Sequence, residues 1–235
     1  MPMKPQHPPQ ERSHTKEWDE VDRYITETLV GSDPVLEAAL EAAEEAGLPS
    51  IQVAPNQGKF LHLLALAKAA RRILEIGTLG GYSTIWLARA LPPDGHLVTL
   101  EVDPKHAELA QANLDRAGLS GLVEIRVGPA VESLAQLYKD GVEPFDMVFI
   151  DADKPSNPAY LGWALKLANP GALILTDNVV REGEIVDAGS EDPSIQGTRR
   201  MFDMLAAEPR LSATAIQTVG SKGYDGFAMA VVVKD

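Results

Sequence analysis

Apolar residues recur at helical spacing from Glu17 to Leu29, at Trp18, Val21, Ile25 and Leu29. A second helix is predicted over Pro34–Ala46: Asp33 supplies an N-cap acceptor, Pro34 suits the first helical position, and Gly47 ends the run. A third is expected from about Asn56 to Ala70. From residue 72 the period changes. Short apolar runs at Arg72–Ile76, His96–Leu100, Val123–Val127, Phe145–Ile150 and Gly171–Thr176 alternate with helical stretches near Ser83–Leu91, Pro104–Ala117, Val131–Tyr138 and Pro158–Ala168. That alternation predicts an α/β fold: a parallel sheet with right-handed crossovers and helices on both faces. The last two apolar segments, Ala213–Val219 and Phe227–Val233, are joined by Gly220–Gly226, which is too short for a parallel crossover. They are expected to form an antiparallel pair at one sheet edge. A chain of 235 residues suits one core. The three N-terminal helices, within residues 16–70, are therefore read as a cap or dimerisation arm on an α/β core over 71–235, all one domain.

Residues 1–15 read as a disordered leader. Met1–Gln10 holds four prolines and no apolar core, which does not fit a signal peptide. Charge narrows the partners. The chain has 21 Lys+Arg against 34 Asp+Glu, a formal net charge of −13, and residues 1–50 contribute −7 of it from 4 basic and 11 acidic side chains. No Lys/Arg run offsets this, so nucleic-acid binding through bulk charge is disfavoured. The absence of cysteine excludes disulfides, thiol nucleophiles, iron–sulfur clusters and Cys-ligated zinc, and fits a reducing, cytoplasmic setting. No stretch approaches the ~18 consecutive apolar residues that a membrane helix needs.

In an open α/β sheet, ligands bind beyond the carboxyl ends of the strands. The first strand ends in Glu75-Ile76-Gly77-Thr78-Leu79-Gly80-Gly81-Tyr82-Ser83, a glycine-rich turn that lets a ligand approach backbone N–H groups. It lacks the GxGxxG spacing of a dinucleotide fold. Any tight strand-to-helix turn uses glycine, but Glu75 lies inside an apolar run and must have a partner. The second strand ends in Glu101-Val102-Asp103. A carboxylate there either caps the next helix or accepts from ribose hydroxyls, and Asp103, before Pro104, is the better cap. Glu101 is thus the ribose candidate. At the end of the third strand, Gly128-Pro129-Ala130 leaves room for a flat ring.

The fourth strand ends in Asp151-Ala152-Asp153-Lys154 and the fifth in Asp177-Asn178. If these strands are neighbours, Asp151, Asp177 and Asn178 bring two carboxylates and an amide oxygen to one point, a set suited to a hard divalent cation. The competing account is that each Asp caps the following helix. Lys154 is close enough to act in the same site, although a solvated lysine is the commoner fate.

Together these segments, in this order and spacing, resemble the cation-dependent O-methyltransferases related to catechol and caffeoyl-CoA O-methyltransferases, over residues 50–235. The resemblance implies the seven-stranded class I methyltransferase sheet, Rossmann-like, with an antiparallel last strand. It implies S-adenosylmethionine (SAM) bound by Val53, Glu75, Gly77, Thr78, Leu79, Ser83, Glu101 and Ala130. It further implies a divalent cation, Mg²⁺ first and Ca²⁺ or Mn²⁺ next, on Asp151, Asp177 and Asn178, with Lys154 as catalytic base and Asp151 beside it. The acceptor would be a small aromatic vicinal diol of catechol, caffeoyl or flavonoid type. It would be chelated by the ion and methylated as the phenolate, leaving S-adenosylhomocysteine (SAH). Relatives that methylate 5-hydroxyuridine in tRNA are the alternative, and the acidic charge argues against it. A homodimer is expected, through the acidic helices that carry Trp18 and Leu29.

Arg181 stands where many relatives carry Trp. It is read as a wall or clamp for an acidic acceptor, or as a surface residue on a mobile loop. Glu182–Gln196, rich in Gly, Asp, Glu and Ser, is expected to be a flexible lid. His62, His96 and His106 are read as structural. Trp18, Trp86 and Trp163 are read as core or interface. Tyr160 is read as a site-lining residue or a helix-packing one.

Overall fold

The computed structural model describes residues 14–233. Of the leader expected over residues 1–15, residues 1–13 lie outside that range, and the first helix begins at His14. Helix α1 (His14–Ile25) runs into a π-helical turn over Thr26–Val30. Helix α2 (Pro34–Glu45) starts where Asp33 accepts from the Val35 and Leu36 amides, and α3 (Pro55–Lys68) again has proline in its first turn. The core then alternates β1 (Arg72–Ile76), α4 (Tyr82–Ala88), β2 (His96–Glu101), α5 (Pro104–Ala117), β3 (Val123–Val127), α6 (Ala130–Lys139), β4 (Phe145–Ile150), α7 (Asn157–Leu167) and β5 (Ala168–Asp177). Helix α8 (Pro193–Ala207) leads to the hairpin β6 (Leu211–Gly220) and β7 (Gly223–Val232).

The seven strands lie in the order β3-β2-β1-β4-β5-β7-β6. The first five are parallel; β7 is antiparallel to both β5 and β6. The terminal hairpin is therefore at one edge, with β7 its inner strand, between β5 and β6. No helix among the described residues is long and apolar enough to cross a membrane.

Strand pleating sorts side chains to two faces. Leu74, Ile76, Val148, Ile150 and Ile174 pack with α6, α7 and α8, while Ile73, Met147, Phe149, Leu173 and Leu175 share a cluster with Leu36, Ala39, Leu61 and Ala65 of α2 and α3. Helices α2 and α3 thus belong to the core that covers one face. Asp33 also pairs with Arg89 (Nη1–Oδ2 2.5 Å), which clamps the start of α2 to the end of α4.

Helix α8 is where the structure departs most from expectation. Glu182–Gln196 does not run on as a loop: Arg181–Val186 forms a 3-10 turn with a kink at Glu182 and Gly183, and the helix is already under way at Pro193. Asp192 caps it, accepting from the Ser194 amide at 2.7 Å, and Arg199 Nη1 ties it to the Ile185 carbonyl at 2.6 Å. Helix α4 is shorter than expected and ends at Ala88, ahead of Pro92 and Pro93.

Candidate active site

The strand order reverses between β1 and β4, and the crevice opens beyond their carboxyl ends, as the topology requires. A cavity of about 800 Å³ occupies it. Its floor is the turn after β1. Gly77 has φ 103°, and a Cβ there would lie 2.1 Å from the Asp151 carbonyl oxygen, so only glycine lets the exits of β1 and β4 pass this closely. Leu79 is also in the left-handed region, at φ 49°. Its amide donates to Glu101 Oε2 at 2.8 Å, which holds the strained turn against the tip of β2.

Glu101 Oε1 accepts from the Asp103 amide at 2.9 Å, and Asp103 itself caps α5 through the Lys105 amide at 2.8 Å. The cap is Asp103; Glu101 lines the cavity with acceptor capacity left over. Val53, Gly77, Thr78, Leu79, Ser83, Glu101 and Ala130 all line this cavity. Glu75 does not. It is fully buried beneath Ser83, accepting from Ser83 Oγ (2.7 Å), Thr84 Oγ1 (2.5 Å) and Thr99 Oγ1 (2.7 Å). Burial pushes its carboxyl up to about 7, against the three hydroxyls that pull it down. Its link to the cavity runs through Ser83.

Ile150 stands opposite Thr176 in the β4–β5 ladder, so Asp151 and Asp177 leave the sheet as neighbours. Asp177 is buried. Desolvation first, and the charge of Asp151 second, hold its carboxyl well above the usual carboxylate range. The Asn178 amide (2.9 Å) and Gln57 Nε2 (2.6 Å) donate to it. Asn178 follows at φ 54°, a backbone state that asparagine tolerates. Lys154 opens a 3-10 turn over Lys154–Ser156, and its Nζ lies 2.9 Å from Asp151 Oδ1. Asp151, Lys154, Asn178 and Arg181 all line the 800 Å³ cavity. Among the described residues, no group of three or more His, Asp or Glu side chains is gathered for a metal. The donor set here is two carboxylates and one amide. Two neighbouring carboxylates, one of them buried and short of positive charge, fit a hard cation whose shell is completed from outside the protein.

A second cavity, about 270 Å³, lies on the other side of Asn178, which borders both. Asp177, Gln57, Phe60, Lys222 and Phe227 line it. Its roof joins the N-terminal helices to the hairpin: Asp22 of α1 accepts from Asn56 Nδ2 (2.8 Å) and from the Ser221 amide (2.8 Å), and Lys222 Nζ donates to the Ser50 carbonyl (3.1 Å).

Two features escaped the sequence reading. Gln57 reaches Asp177 across 120 residues, and no local pattern marks it. His106, read as structural, lines the large cavity with Nδ1 3.8 Å from Glu101 Oε1. Its place in the first turn of α5, just after the acidic tip of β2, was the available signal. Tyr160, read as lining the site or packing its helix, does line the cavity and also donates to Asp153, which fixes the segment carrying Lys154. His62 and His96 sit in packing positions, against the Trp86 carbonyl (3.1 Å) and Glu124 (3.4 Å). Trp86 is buried and Trp163 packs on Tyr138.

The O-methyltransferase family model matches residues 26–230. The catechol O-methyltransferase of Niastella koreensis is 54% identical over 215 residues, covering 92% of this chain and 97% of that protein. The crystal structure of the O-methyltransferase from Bacillus cereus in complex with SAH superposes with a TM-score of 0.92 at 57% identity, covering 93% of this chain and 99% of that one. TomG from Streptomyces achromogenes, an O-methyltransferase involved in tomaymycin synthesis and solved with SAM, also gives 0.92, at 51% identity over 95% of this chain and 100% of that one.

Proposed function

Because this chain belongs to the O-methyltransferase family, and is thereby a SAM-dependent O-methyltransferase, we propose that it methylates one hydroxyl of a small aromatic vicinal diol held against a divalent cation. The observation that carries the reading is the adjacency of Asp151 and Asp177 at the ends of β4 and β5, with Asn178 and Lys154 on the same cavity wall. The catechol O-methyltransferases among its relatives support the acceptor class.

When bound, SAM supplies a sulfonium methyl group and the cation supplies positive charge that favours a phenolate. Asp151, Asp177 and Asn178 would hold the cation, with Mg²⁺ the best match to an all-oxygen set. Glu101 would accept from the ribose hydroxyls, with the Gly77–Leu79 turn, Ser83, Val53 and Ala130 around the rest of the cofactor. Lys154, buried and 2.9 Å from Asp151 at Nζ, would take the proton from the hydroxyl that becomes methylated, acting as the neutral amine once the cation engages Asp151. Holding donor and acceptor together supplies much of the rate, since near-attack geometry can account for ~7–11 kcal/mol of such barriers. The small second cavity beside Asn178 accommodates the remainder of the acceptor. The exposed Val21 (57%), Tyr24 (69%) and Leu29 (71%) on the N-terminal helices support pairing with a second copy.

The test is methyl transfer to catechol and caffeate, with Mg²⁺ and after EDTA treatment. Turnover is expected to vanish with EDTA and to return with Mg²⁺. Asp151→Ala is expected to lose the Mg²⁺-dependent activity while staying folded. Full turnover in metal-free buffer rules out the cation's role.

A further inference from the structure

Helix α8 takes no part in lining either cavity, yet it reaches the catalytic lysine from behind. Gly197 is buried in the middle of this helix. Glycine is the poorest helix former after proline, so its presence there needs a packing reason. The reason is geometric. A Cβ on Gly197 would fall 2.3 Å from the Lys154 carbonyl oxygen, 2.7 Å from Pro155 Cα and 3.0 Å from the Lys154 carbonyl carbon. These are backbone atoms, and they cannot swing aside as the end of a long side chain would. The Lys154–Ser156 turn is closed on itself by the Asn157 amide, which donates to the same Lys154 carbonyl. Helix α8 is in turn anchored on the sheet through Met201 and Leu205, buried in the same cluster as Leu74, Val148 and Ile174. The turn that presents Lys154 is thus seated directly on helix backbone, in a notch that exists because residue 197 has no side chain.

We propose that Gly197 is a positioning residue for Lys154: α8 sets the height of the lysine's backbone, and with it the place of Nζ beside Asp151. This rests on the reading of Lys154 as the base. A methyl group at 197 forces the turn away by roughly 1 Å, the gap between 2.3 Å and ordinary contact. A displacement of that size costs about 100-fold when it falls on a reacting group.

The experiment is a double-mutant cycle on the full chain. Gly197→Ala is expected to lower kcat about 100-fold while the KM for SAM stays within about twofold. In the Lys154→Met background the same substitution is expected to do nothing more to kcat, because the group it misplaces is already gone. Gly162→Ala is the control. It lies on α7, nothing lies within 4 Å of its would-be Cβ, and its kcat is expected to be unchanged. A further drop in kcat when Gly197→Ala is added to Lys154→Met overturns the proposal. So does loss of the folded state or of cofactor affinity in Gly197→Ala, since glycine would then serve the fold at large. Wild-type kcat in Lys154→Met removes the base assignment itself, and this inference with it; that result is distinct from an additive cycle.

Discussion

Replacing Glu75 by glutamine keeps the shape of the side chain and removes its charge. In the folded protein this carboxyl is fully buried on β1, and burial raises it from 4.5 to about 7 in spite of three hydroxyl donors. A carboxyl raised in this way binds its proton more tightly folded than unfolded. Its contribution to stability is therefore fully present below about 4.5 and is lost as pH rises to about 7. At about 1.4 kcal/mol per unit the whole loss is about 3 kcal/mol, of which about 2 kcal/mol develops between pH 5.5 and 8. Asp177 is raised as well, so the wild-type curve falls for two reasons. The difference between wild type and Glu75→Gln isolates the first. Urea unfolding of the cofactor-free protein, followed by tryptophan fluorescence at both pH values, measures it. The variant is expected to gain about 2 kcal/mol on the wild type between pH 5.5 and 8, whatever the amide costs at the lower pH. Parallel curves, within about 0.5 kcal/mol, would mean that the hydroxyls of Ser83, Thr84 and Thr99 hold Glu75 charged, and the argument from desolvation would fail.

The other expectations concern binding. Glu101→Ala removes the acceptor of the Leu79 and Asp103 amides along with the ribose ligand. SAM affinity measured by calorimetry is expected to weaken at least about 10-fold; an unchanged Kd refutes the ribose assignment. Arg181 lines the large cavity near Asn178. Arg181→Ala is expected to raise KM about 10-fold for a carboxylated catechol such as caffeate and to leave unsubstituted catechol unaffected. Equal effects on the two acceptors would make it a wall and not a clamp. Light scattering is expected to give twice the chain mass of 25.3 kDa, and a monomeric mass ends the pairing argument.

Much of this was legible because local chemistry and global fold agree. Asp33-Pro34 and Asp103-Pro104 mark helix starts on sight, and the carboxyl ends of the parallel strands fall where the apolar runs stop. The same Asp-Pro pair at 192–193 went unread because the flanking Gly, Ser and acidic residues resemble a loop. The buried stripe of α8, Ile195, Thr198, Met201 and Leu205, nonetheless has helical spacing. Glu75 was legible as a carboxylate in need of partners. Those partners were not, because Thr84 comes from α4 and Thr99 from β2, and only the folded sheet brings them together. The bond from Gln57 to Asp177 has the same character. Sequence shows what a residue needs; distant pairings decide what meets the need.

The order β5-β7-β6 carries a consequence for synthesis. The strand that fills the gap between β5 and β6 leaves the ribosome after both of them. Until it emerges, β5, whose end supplies Asp177, has an unpaired flank and β6 has no partner among the described strands. A nascent chain halted before residue 223 would therefore hold most of its cofactor pocket and lack a finished second carboxylate site. Such a truncated product should collect as a chaperone client or aggregate, and not as a slow enzyme.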